Sequence, residues 1–140
     1  MFVEQLTLTE RTRLLRLLTY LAAVDGDIDP AEDAALHALA ERIGVPEGTP
    51  DLVIDEAGLE QLCHAFDRES ARRIALAELV GMAMADRAFV WVEKRTLGKV
   101  ATAMGICPET LEAIENWVEV GLQWKQTAVS VLALDGEPIF

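Results

Sequence analysis

Residues 21–46 read LAAVDGDIDPAEDAALHALAERIGVP and residues 82–108 read MAMADRAFVWVEKRTLGKVATAMGICP. Shifting the chain by 61 positions, without gaps, lays Leu15 on Leu76, Leu18 on Leu79, Ala22 on Ala83, Asp25 on Asp86, Glu32 on Glu93, Leu36 on Leu97, Ala40 on Ala101 and Gly44 on Gly105. These matches recur three, four or seven positions apart, the interval that returns a side chain to one face of a helix. Each copy reads as a helix, a bend, a second helix and a glycine stop. Two such helix-turn-helix units, about residues 8–45 and 69–106, bury their apolar faces against each other, because two copies are too few for an open solenoid. The expected fold is all-α, a single-domain bundle of about six to seven helices over residues 1–140.

The helix ends are written into the local sequence. Thr7 and Glu10 have the spacing of a capping box, and Leu14, Leu15, Leu18, Leu21 and Ala22 then share one face of a helix that should end near Val24. Asp29, Pro30 and Glu32 supply an N-cap, a first-turn proline and a first-turn carboxylate for a second helix, which Gly44 can stop in the left-handed conformation after Ile43. Residues 45–54 hold two prolines and a glycine and read as a connector before a short helix over 56–66. A helix over 68–85 follows, the pattern restarts near Val92, and Gly105 closes that element. Cys107-Pro108-Glu109 opens a long last helix, expected to run to Asp135-Gly136, with Trp117 and Trp124 on its core side. Residues 128–134, AVSVLAL, fit helix and strand alike.

Composition narrows the function. Twelve basic against 24 acidic side chains give a formal charge of −12, the wrong sign for a polyphosphate, so nucleic acid is not an expected partner and an anionic membrane surface is disfavoured. A cation, or a basic patch on another protein, suits this field. No run of about 18 uncharged apolar residues occurs, so direct membrane insertion is not expected, and the N-terminus lacks the apolar segment of an export signal. Cys63 and Cys107 have neither zinc-ligand nor redox-motif spacing, which suits reduced thiols in a cytoplasmic protein. His37 and His64 have no second ligand at helical spacing, and no nucleophile elbow, metalloprotease motif or glycine-rich phosphate loop is present. The chain is not expected to be an enzyme.

The first bend carries the one candidate site. Asp25, Asp27 and Asp29 alternate as the first three ligands of a calcium loop do, and Glu32 could reach back from the next helical turn. The stretch is no EF-hand, since Pro30 and Leu36 stand where that loop needs glycine and a bidentate glutamate. Ca²⁺ or another divalent cation would be held weakly, with water completing its shell. The repeat divides these four acids. Asp25 and Glu32 recur as Asp86 and Glu93, which suits a structural role at the bend, and Asp29 is placed to cap a helix, so Asp27 is the carboxylate that a cation best explains. In the second copy Phe89, Val90, Trp91 and Val92 form an apolar run, to be covered by the C-terminal segment or offered to a partner or second copy.

The two bends resemble those of the tellurite-resistance TerB family and its TerB-like relatives, whose hairpins carry two small residues, Asp-Gly and a following Glu at these positions. The first stretch matches closely; the second departs from the pattern with Arg87 in place of glycine and Phe89-Val90-Trp91 where acids are common. The resemblance covers roughly residues 8–117. It implies a cytoplasmic, all-helical, acidic protein that binds divalent cations and acts without catalysis in stress or tellurite responses near membrane-associated complexes. The expected function is thus protein interaction, with a metal site at Asp25, Asp27, Asp29 and Glu32. The alternative is a structural or co-chaperone-like scaffold, forming homodimers or larger homo-oligomers, with no functional metal.

Overall fold

The computed structural model of the chain describes residues 2–23, 30–45, 56–85 and 91–133. After a short 3-10 turn at Val3–Gln5 come α1 (Leu8–Ala23), α2 (Pro30–Arg42), α3 (Glu56–His64), α4 (Glu69–Ala85), α5 (Trp91–Ala103) and α6 (Pro108–Val131). Among the described residues all regular structure is helical, as expected for the bundle. α1 packs against α2, α3 and α4; α4 packs also against α5 and α6; and α3 spans from α1 to α5.

The internal symmetry of the sequence appears in the backbone. α2 and α5 begin 61 positions apart and end 61 positions apart. Both stop at a glycine in the left-handed region, Gly44 at φ 78° and Gly105 at φ 73°. Past each stop the chain donates back into the last turn. Val45 N–H reaches the Ala40 carbonyl at 2.9 Å and Ile106 N–H the Ala101 carbonyl at 2.8 Å. This is the six-to-one bond of the Schellman motif, and the residue making it is a buried apolar side chain in both copies, Val45 and Ile106.

Why these helices pack is clear from their stripes. Leu14, Leu15, Leu17, Leu18 and Leu21 of α1 are all but fully buried, and α4 opposes them with Ala71, Ala75, Leu76, Leu79, Val80 and Ala83. Alternating alanine with larger side chains lets α4 sit close to three neighbours at once. Each buried leucine contributes about 1.5–3 kcal/mol, several times the few tenths of a kcal/mol typical of an exposed helical pair such as Arg73–Glu69. Apolar burial therefore decides stability, while the polar groups decide where each helix begins and ends.

The capping box is present as read. Thr7 N–H donates to Glu10 Oε1 at 2.8 Å, and Glu10 N–H donates to Thr7 Oγ1 at 3.2 Å. Glu10 is 6 % exposed and also accepts from Arg68, whose Nε lies 3.1 Å from Oε2 and whose Nη2 bonds Oε1. One carboxylate thus fixes the start of α1 and ties it to the entry of α4. The last helix differs from expectation in its end, because it stops at Val131 with Leu132 and Ala133 in a turn; Asp135 and Gly136 lie outside the described residues. Residues 128–131 of the ambiguous AVSVLAL stretch are helical.

The guanidinium of Arg68 holds the Glu10 carboxyl below its ordinary range, against the opposing effect of burial. A carboxyl whose folded-state pKa is lowered contributes stability above its unfolded pKa, about 4.3, and loses it as pH falls through the folded value. Glu10→Ala should lower stability at neutral pH by about 1–2 kcal/mol, and Glu10→Gln, which keeps the capping geometry, by less. Both deficits should shrink on acidification below pH ~4, measured by urea unfolding across pH.

Candidate functional site

The residues expected to hold a cation are only partly within view. Asp25, Asp27 and Asp29 lie outside the described residues, and Glu32 falls in the first turn of α2 without a described side chain. Among the described residues no three His, Cys, Asp or Glu side chains gather in a metal-sized group. Phe89 and Val90 lie outside the described residues, and Trp91 and Val92 open α5 without described side chains. His37 and His64 are both exposed, on α2 and at the end of α3.

What the described residues do assemble is an apolar face on α6. This helix has 24 residues, a length of about 36 Å, and it is apolar on two sides. One side, through Leu111, Ile114, Val118 and Leu122, packs against the core. The other carries Trp117, Val120, Trp124 and Val131, which are 49 %, 63 %, 61 % and 73 % exposed. Trp117 and Trp124 therefore do not serve the core, the first of the two roles their sequence allows; the second is to anchor an interface. Their period was read correctly, but a helix with two apolar sides gives one period for two destinations, and α4 covers only the side centred on Val118.

Phe2 leans on this face, its ring 5.8 Å from that of Trp117 at an interplanar angle of 30°. Beside them a notch of about 170 Å³ opens between α4 and α6, walled by Phe2, Ile74, Ala77, Ile114 and Trp117, with Arg73 and Glu78 at its edge. Cavities that take small-molecule ligands are typically about 300–1,000 Å³, so this one is small for such a ligand. Of the acids of α6, Glu112, Glu115 and Glu119 fall away from the exposed stripe by the helical period, while Glu109 in the first turn falls at its edge. Next to the exposed stripe stand uncharged Asn116, Gln123 and Ser130. Such a surface, large and apolar with a mostly uncharged margin, has the make-up of a docking site.

No known protein family, curated protein or solved structure matches the chain. No described helix is long and apolar enough to cross a membrane.

The two thiols stand in opposite settings. Cys63 is fully buried, and burial, with Glu60 nearby, pushes its thiol up to about 11. Cys107 caps α6 from an exposed position, its Sγ 3.1 Å from Thr110 Oγ1. A thiol-specific reagent at neutral pH should modify Cys107 at once and Cys63 only at the rate of unfolding, seen as one fast and one slow equivalent. Cys107→Ser should remove the fast phase alone.

Proposed function

We propose that the chain is a non-enzymatic protein-interaction domain that docks other polypeptides on the exposed face of α6. The observation that carries this reading is the row of Trp117, Val120, Trp124 and Val131, large apolar side chains 49–73 % exposed on a helix whose opposite apolar side already serves the core. Scattered exposed apolar residues need no explanation; four at helical spacing on one stripe do. The test is a photo-crosslinking residue placed at Gln123, beside the stripe, compared with one at Arg42 at the end of α2. Links to another polypeptide from position 123 and not from position 42 are expected. Equal linking from both, or none from 123, overturns the docking role of this face.

To this the resemblance to the TerB-like family adds a regulator, a divalent cation such as Ca²⁺ at Asp25, Asp27, Asp29 and Glu32, in a cytoplasmic stress-response or tellurite-resistance setting. Alternating carboxylates beside a glycine support it, as does the absence of a structural duty for Asp27 in the repeat. A bound cation would neutralise clustered charge and stiffen the bend between α1 and α2. Saturating Ca²⁺ should then add about 1–2 kcal/mol, raising the melting temperature by a few degrees, and Asp27→Asn should abolish that rise. A melting temperature indifferent to Ca²⁺ and Mg²⁺ leaves the scaffold role without a metal.

A further inference from the structure

We infer that the occupant of the α6 face is a second copy of this chain, with the two α6 helices packed antiparallel about a twofold axis. The inference rests on the docking role proposed above and names its partner. Three features of the helix lead to it.

The exposed positions follow a heptad. Trp117, Trp124 and Val131 recur every seven residues, and Ala113, Val120 and Thr127 fall three residues after or four before them. All six are exposed. Antiparallel pairing sets the first series against the second. In the register that keeps all six in contact, Trp124 meets the second copy's Val120, Trp117 its Thr127 and Val131 its Ala113, and the twofold repeats each layer. Every large side chain then faces a smaller one, as dense packing requires. Parallel pairing would stack Trp117 on Trp117 and Ala113 on Ala113, overfilling one layer and emptying the next.

Over the paired stretch, residues 113–131, the margins of the stripe are uncharged, Glu109 standing one turn before it, which selects a copy of this chain over a basic helix. A cationic partner helix finds its carboxylates beside the seam; here those positions are Asn116, Gln123 and Ser130 on one side and Ile114, Gly121 and Ala128 on the other. Two molecules of formal charge −12 can approach closely only along such a strip. Gly121 lies where the two helices cross. A Cβ there would meet nothing within 4 Å in the single chain, so internal packing does not call for a glycine at a position where it costs a helix about 1 kcal/mol. Close approach of a second backbone does.

The area is sufficient. From the exposures of the two tryptophans, Val120, Val131 and their neighbours, each copy offers roughly 600 Å², so the pair would bury roughly 1,200 Å², the lower end of stable interfaces. Micromolar association follows rather than an obligate dimer.

Sedimentation of the full chain over a concentration series tests this. A monomer–dimer equilibrium is expected, strengthened by added salt because like net charges are screened. Val120→Glu should weaken it about 100-fold with unchanged helicity. With Cys107→Ser as background, a cysteine at Gln123 should be joined to its counterpart by a short bismaleimide and one at Thr110 should not; linking at 110 as efficient as at 123 overturns the antiparallel arrangement. A wild-type chain that stays monomeric to about 100 µM overturns the second copy. In that case links from position 123 to a different polypeptide would leave the docking face standing, and no links at all would remove both.

Discussion

A small helical bundle buries helix ends, and each C-terminal end carries carbonyl groups that the helix itself cannot satisfy. Here arginines meet that demand. Arg11 donates from Nε to the carbonyls of Val3 and Leu6 at 3.0 and 3.1 Å, and from Nη1 to that of Ile43, just past the end of α2, at 3.0 Å. Arg13 reaches the carbonyl of Ala65 beyond α3 at 2.8 Å, Arg72 that of Phe66, and Arg68 that of Gln5 at 3.0 Å. Four side chains on α1 and at the start of α4 thus hold the termini of the surrounding elements. With them in place the leucine stripe of α1 and the alanine-rich face of α4 can close without orphaned carbonyls.

This network also shows where sequence reading stopped. The capping box at Thr7 and Glu10, the glycine stops and the start of α2 follow from short-range rules, and each was legible because both partners lie within a few residues. The reach of Arg11 to Ile43 spans 32 residues and that of Arg68 to Glu10 spans 58, and nothing in a single chain marks those pairs. The repeat gave the two hairpins because helix period and glycine stop are local. It gave nothing about α3 or α6, because the 61-residue shift lays α3 on residues 117–125 of α6 without one identical position.

The candidate site was legible in a different way. Acidic residues crowd the first bend and are plain in the composition, whereas the tryptophans of α6 read as core by default and as interface anchors only second. Which apolar side of a helix faces inward is a tertiary fact. α6 packs on α4 and α5, and the side it turns to them is set by Val118 and its neighbours, so Trp117, one residue earlier, is carried about 100° round to the outside. The available sign was an apolar arc too wide for one contact, from Trp117 through Ile114 to Leu122.

The position of these indoles has an optical consequence. Two of the three tryptophans, Trp117 and Trp124, lie about half exposed on a single helix, outside the buried leucine and alanine layers. Their emission is already that of rings in contact with water, so loss of the core changes their surroundings little, while covering α6 changes them greatly. Emission from these two indoles is therefore a poor gauge of the folding of the core and a sensitive gauge of whatever covers α6.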